Sequence, residues 1–208
     1  LSILAIDAAG AQAGIAILSE DGSALARFST AGRPGLIETL PVLLAEAVAG
    51  QTISLAAVTI GPGSFTGLRT SIALAQGFCA AAGIPLHGVT GAEAFAQAFP
   101  LLSRPLWTAV RARKNRIFLV RDGVAEAFAD DDLPRPRHPV ALAGDAANEV
   151  AAFIAAYGGD VLLTNARKID PVWVGRAALL RQAAGLPPHE ALPVYVDAPE
   201  AKLPVARK

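Results

Sequence analysis

Ile3-Leu4-Ala5-Ile6-Asp7-Ala8-Ala9-Gly10 leads into Gly14-Ile15-Ala16-Ile17-Leu18 and, past Glu20-Asp21-Gly22, into Ala24-Leu25-Ala26-Arg27-Phe28. Three short apolar runs separated by small or turn-forming residues read as strand, tight loop, strand, turn, strand. Gly22 supplies the positive φ that a tight hairpin needs, so the runs are expected to pair as an antiparallel meander.

Beyond the meander the period changes. Leu36, Leu40, Leu43, Leu44 and Val48 recur at helical spacing with Glu38 and Glu46 off that stripe, and Pro41 is a local imperfection. A strand over 55–60, a Gly/Pro turn, a helix over 66–82, a strand over 85–89 and a helix over 91–99 follow. The first hundred residues therefore spell β-β-β-α-β-α-β-α. Strand-like runs at 106–110, 117–120 and 124–128 then start a second meander, with turns at 113–115 and at Asp122-Gly123. Residues 130–140 read as a loop, 147–157 as a helix, 160–164 as a strand and 172–184 as a helix, and a tail carries Val194-Tyr195-Val196.

Two successive units of like order imply a duplicated, two-lobed α/β protein on mixed, helix-flanked sheets of the ribonuclease H type, with a cleft between the lobes. The expected division is 1–101 for the first lobe and 102–208 for a degenerate second lobe with its tail. Ligands in open α/β folds gather at strand ends near the crevice, which directs attention to Asp7 and the loop after Ile60.

Of the 208 residues, 53% are apolar and 17% charged, which excludes a disordered chain and a coiled coil. Eighteen basic side chains balance eighteen acidic ones, which excludes a strongly cationic nucleic-acid glove. The charge is uneven, however: Arg104, Arg111, Arg113, Lys114, Arg116 and Arg121 fall in one stretch without an acid. That stretch is either a solvated strand face or the place where an anionic partner would touch, with Arg111, Arg113, Lys114 and Arg116 as the candidate contacts. A single cysteine, Cys79, and the lack of a basic-then-apolar leader point to a reducing cytoplasm. The uncharged run between Arg69 and Glu93 is broken by Gly77, Gly83, Pro85, His87 and Gly91, so no membrane span is expected. Methionine is absent, and the chain is read as beginning after the genuine first residue.

Gly61-Pro62-Gly63-Ser64-Phe65-Thr66-Gly67-Leu68-Arg69 joins an apolar strand to an apolar helix. Such a loop can bind anions through close backbone approach and the helix dipole, with Ser64 or Thr66 as cap and Arg69 as cation. It is neither a Walker loop nor a dinucleotide fingerprint. By spacing alone it is either a phosphate site or a structural turn. The helix that follows bears no charge after Arg69, so it must be covered on two sides: by its own sheet, and by either the helix over 36–48 or a partner chain.

The nine residues 61–69 resemble the signature of the TsaB (YeaZ) family of bacterial tRNA threonylcarbamoyladenosine biosynthesis proteins. Ile3-Leu4-Ala5-Ile6-Asp7, Ala75-Gln76-Gly77, Pro193-Val194-Tyr195-Val196 and Pro199-Glu200-Ala201-Lys202 extend the resemblance over nearly the whole chain. It implies an actin-like or Hsp70-like ATPase fold that has lost its own catalysis, with no catalytic residues and no cofactor of its own. The implied partners are the catalytic subunit TsaD, the ATPase TsaE and, through the complex, tRNA. A homodimer is implied when the protein is alone, and ATP or ADP at the shared interface is allowed. The resemblance places the partner interface on the first-lobe helices, at Leu36, Leu40, Leu43, Gly67, Leu68, Ser71, Ile72, Ala75 and Cys79. The nucleotide-loop candidates are Asp7, Gly61, Gly63, Ser64, Thr66, Gly67 and Arg69.

Departures from the family pattern weaken independent nucleotide chemistry. Asp7 is followed by Ala8-Ala9 rather than by a hydroxyl, a frequent histidine is replaced around Gly35, and the usual Asp-Ala-Arg reads Arg111-Ala112-Arg113. His87, His138 and His189 share no ligand spacing, so no metal site is expected. The alternative readings are an autonomous actin-like ATPase or phosphotransferase using Asp7 and the loop, and a peptidase-like hydrolase with Ser64 as nucleophile. No histidine is placed by sequence to serve that serine.

Overall fold

The computed structural model describes residues 1–30, 35–112 and 115–197, and of Leu36 and Ile37 the backbone only. Strands β1 (Ser2–Asp7), β2 (Gly14–Ser19) and β3 (Ala24–Ser29) form the first meander, followed by α1 (Leu36–Val48), β4 (Ile53–Gly61), α2 (Phe65–Ala82), β5 (Leu86–Thr90) and α3 (Gly91–Ala96). The second half continues with β6 (Leu106–Arg111), β7 (Arg116–Arg121), β8 (Val124–Ala129), β9 (Val140–Ala143), α4 (Ala147–Ala156), β10 (Val161–Leu163) and α5 (Pro171–Ala183).

The first sheet has the order β3-β2-β1-β4-β5 and the second β10-β9-β6-β7-β8, which is the same order met from the other end. In each, the meander is antiparallel and the last two strands are parallel to the first. This duplicated ribonuclease H-like pattern is the architecture of actin-like ATPases. Central and edge strands carry their position in their composition: β1 is buried at every residue and is apolar between Ser2 and its terminal Asp7. Edge strand β3 instead alternates half-buried with exposed residues. At the β7–β8 hairpin Asp122 and Gly123 both have positive φ, as a two-residue type I′ turn requires.

Helices α1 and α2 cover one face of the first sheet, where Leu4, Ile6, Ile15 and Ile17 meet Leu40, Leu43, Leu68 and Ile72. The other face is covered by α5, whose Val172, Val174, Ala177 and Ala178 pack on Ile3, Ala5, Leu18 and Leu55. Gly175 permits this approach, since a Cβ there would stand 2.7 Å from a methyl of Leu18. Thus the last helix of the second half seals the sheet of the first. The second sheet packs on α4, and Phe95 of α3 meets Ala143 and Ala166 across the lobes. No helix lies between β8 and β9 among the described residues, in keeping with a degenerate second copy.

Element ends differ modestly from expectation. The helix expected over 91–99 stops at Ala96 and continues as single turns to Leu102, because Pro100 cannot donate to a helical ladder. The helix α5 begins at Pro171, directly after its N-cap Asp170, whose carboxylate accepts from the Val172 N–H at 2.9 Å.

Candidate functional site

Between the lobes lies a cleft of about 320 Å³, walled by the β1–β2 turn on one side and by residues 144–145 and 167–171 on the other. Asp7, the last residue of β1, lies in its lining and is almost fully buried. Its carboxylate accepts from the Ala9 N–H at 3.2 Å. Burial pushes the Asp7 carboxyl up to about 6, against the smaller opposing pull of the Thr59 hydroxyl and the Ala9 amide. Thr59 acts here by proximity, because its hydroxyl makes no hydrogen bond of regular geometry. Around the cleft Arg27 faces Asp170 at 3.4 Å, Lys168 reaches Gln12 at 3.2 Å, and Arg167 donates to Asn148 at 3.1 Å. Asp145 accepts from the Arg111 backbone at 2.7 Å.

The burial of Asp7 has a thermodynamic sign. A carboxyl whose folded value is raised favours the folded state most while protonated; its contribution is whole below the unfolded value of 3.8 and is lost as pH rises through about 6. Asp7→Asn removes the ionisation and keeps an acceptor for Ala9. The variant is expected to gain stability over the wild type between pH 4 and pH 7, by up to about 3 kcal/mol, the free energy of moving the carboxyl from 3.8 to about 6. Thermal midpoints across that range check this; a pH-independent difference would refute it.

The glycine loop after β4 faces its own chain. A methyl group on Gly67 would fall inside the Ala8 carbonyl oxygen, and one on Gly63 would stand 2.8 Å from the Ala9 Cβ. The Ser64 amide donates to the Ala9 carbonyl at 2.7 Å, the Gly67 amide to the Ser64 hydroxyl at 3.2 Å, and the Leu68 amide to the Ser64 carbonyl at 2.9 Å. Of the donors at the helix start that lack a helical partner, the Ser64 and Gly67 amides are therefore spent internally, which diminishes the cradle that a phosphate needs. Ser64, not Thr66, is the cap, and no histidine bonds to it among the described residues. Gly61 has φ 113° and packs near Leu68. Arg69 turns away from the cleft: its Nε donates to the Tyr195 hydroxyl at 2.9 Å and its guanidinium lies 3.9 Å from the Phe65 ring centre. Of the nucleotide-loop candidates, only Asp7 lines the cleft.

The residues expected to face a partner are corrected by burial. Leu40, Leu43, Gly67, Leu68, Ser71, Ile72, Ala75 and Cys79 are all buried within the chain, between α1, α2 and the sheet, so a partner cannot reach them. The Leu36 side chain lies outside the described residues. The apolar stripe was rightly a covered one, but its cover is the chain's own α1 and sheet. What α2 presents outward is Phe65, Thr66, Arg69, Ala73, Gln76, Gly77, Ala80, Ala81 and Ala82.

The basic stretch is largely neutralised. Arg104 pairs with Asp160 at 2.7 Å, Arg116 with Asp197 at 2.8 Å, and Arg121 with Glu126. Arg111 pairs with both Asp130 at 2.7 Å and Glu149 at 2.9 Å. Arg111 and Arg116, two of the candidate contacts for an anionic partner, are thus ion-paired within the chain. Arg113 and Lys114 lie outside the described residues. No group of three metal-ligating side chains occurs among the described residues.

One network escaped sequence reasoning. Glu93 closes a capping box with Thr90 and also accepts from Arg181 at 2.8 Å, while the His189 ring lies 3.1 Å away, tying α3, α5 and the tail together. The Thr90-x-x-Glu93 spacing was the available signal.

Duplicated sheets around an inter-lobe cleft define an actin-like, ATPase-type fold. A family model described as TsaD, tRNA N6-adenosine threonylcarbamoyltransferase, matches residues 34–164, and the chain belongs to that family, among its TsaB/YeaZ members. It is similar to the tRNA threonylcarbamoyladenosine biosynthesis protein TsaB of Escherichia coli (strain K12), 35% identical over 101 residues, 47% of this chain and 43% of that one. It also matches TsaB of Bacillus subtilis (strain 168), 29% identical over 139 residues, 63% of this chain and 61% of the relative. The chain thus spans about half the length of these curated relatives. Among solved structures, a protein with similarity to peptidase YeaZ from Pseudomonas aeruginosa superposes with a TM-score of 0.74 at 20% identity, covering 94% of this chain and 99% of that one. YeaZ from Pseudomonas aeruginosa does so at 0.70 and 21%, covering 93% and 99%. These two likenesses establish the fold.

Proposed function

We propose that this protein is a noncatalytic accessory subunit in tRNA threonylcarbamoyladenosine biosynthesis, docking onto a TsaD-type catalytic subunit and working with a TsaE-type ATPase. It pairs with a second copy of itself when alone, reaches tRNA through the complex, and acts in the cytoplasm. No helix of the described residues is long and apolar enough to cross a membrane. ATP or ADP, where it takes part, belongs to the interface between subunits, because the residues around Gly63 and Gly67 pack on Ala8 and Ala9.

The observation that carries this reading is the outward side of α2. Ala73, Gly77 and Ala80 are exposed, small and uncharged on a helix whose opposite side is core. Small residues allow another helix to come close, and uncharged ones impose no desolvation penalty. The test is Ala73→Arg. It is expected to leave thermal stability within about 0.5 kcal/mol of the wild type, as surface substitutions do, and to abolish copurification with the catalytic subunit. Unchanged copurification would remove α2 from the interface. Omitting the protein from a reconstituted modification reaction then asks whether the nucleoside forms without it.

A further inference from the structure

After α5, which already packs on the first sheet, residues 189–197 run on along the first lobe. The Gly88 amide on edge strand β5 donates to the His189 carbonyl at 2.9 Å, and Gln76 of α2 donates to the Ala191 carbonyl at 2.9 Å. The Val194 amide donates to the Ile60 carbonyl at 2.8 Å, Arg69 holds the Tyr195 hydroxyl, and the Tyr195 and Phe65 rings lie 6.1 Å apart. Asp197 finally pairs with Arg116 on β7 of the second sheet. Gly88 is fitted to this strap, since a Cβ there would stand 2.5 Å from the Glu190 carbonyl oxygen.

The strap's three anchors on α2, Phe65, Arg69 and Gln76, are all outward-facing positions. At about 100° per residue they fall within about 40° of one another, and Ala80, Ala73 and Gly77 follow within roughly the next 80°. On a helix about 10–12 Å across, that spacing is an arc of at most about 8 Å, narrower than a second helix. A helix seated on Ala73 and Gly77 therefore overlaps the strap. The strap's outermost side chains are loosely covered, Tyr195 remaining 52% exposed and Leu192 56%, while Ala191 and Val194 are half-buried against the first-lobe core.

We propose that residues 189–197 form a displaceable cover over the N-terminal flank of α2, and that docking of a partner helix on α2 requires the strap to leave. The proposal rests on α2 being the docking face. A binding-competent state that is only fractionally populated weakens the apparent affinity by that fraction, so loosening the strap strengthens association.

The test uses the full-length protein and two surface variants, Tyr195→Ala and Asp197→Ala, each cutting one anchor far from the core. Hydrogen exchange at the Gly88 and Val194 amides reports the strap; titration against the TsaD-type subunit reports docking. The expected result is faster exchange at both amides together with tighter association, by up to about tenfold for Tyr195→Ala, the factor that about 1.4 kcal/mol corresponds to. Faster exchange with unchanged or weaker association overturns the proposal while leaving the docking face intact. Unchanged exchange in both variants overturns it as well, because the strap then does not depend on these anchors. Failure of every version, wild type included, to associate overturns the docking reading and the cover with it.

Discussion

Gly67→Ala is expected to cost more than about 3 kcal/mol, a large share of the 5–15 kcal/mol that holds a typical domain together. The added methyl would overlap the Ala8 carbonyl oxygen, and neither side can yield cheaply. Ala8 is fully buried in the turn whose Ala9 amide donates to Asp7, while α2 is pinned to the sheet by Leu68, Ile72, Ala75 and Cys79. Gly144 stands at the corresponding place in the second lobe, after β9 and before α4. A methyl there would overlap the Ala109 carbonyl oxygen at φ 104°, so Gly144→Ala should be comparably severe. Gly77 is the internal control: it lies on the same helix with nothing among the described residues within 4 Å of a Cβ, and Gly77→Ala should stabilise by up to about 1 kcal/mol through helix propensity. Denaturant midpoints of the three variants separate a loop that fits its own backbone from one built for a ligand. A Gly67→Ala protein within about 1 kcal/mol of the wild type would contradict the packing account.

That contrast shows where sequence reasoning succeeds and where it stops. Local chemistry was legible: the three apolar runs from Ile3 to Phe28 pair as a meander, Asp122-Gly123 makes its hairpin turn, and the second unit repeats the order of the first. Each depends on residues close in sequence. What was not legible depends on distant ones. The loop glycines look like a phosphate cradle until Ala8 and Ala9, more than fifty residues earlier, are seen filling it. Arg111 looks like a free cation until Asp130 and Glu149 arrive from 19 and 38 residues away. The sequence marks a helix over 172–184 but cannot say which sheet it covers, and it covers the first. On α2 the pattern identified the most apolar stripe, and the most apolar stripe is the one the chain keeps for itself.

Ile72→Glu follows from the same distinction and reverses the usual logic of an interface mutation. Ile72 is buried among Leu4, Ile6, Leu40 and Leu68. Among the described residues that cluster is built of apolar side chains, so a carboxylate placed there is buried against hydrocarbon. The loss of apolar burial and the burial of an unpaired polar group together should cost at least about 3–5 kcal/mol, enough to unfold much of the population. The damage should deepen as pH rises, because the buried carboxyl resists ionising and the unfolded chain does not. Ala73→Arg, one residue along but on the outward side of the helix, should leave the denaturant midpoint nearly unchanged. The two variants therefore assign α2 its orientation without a partner present. An Ile72→Glu protein that melts within about 1 kcal/mol of the wild type, yet fails to associate, would mean that the stripe now assigned to the core faces the partner.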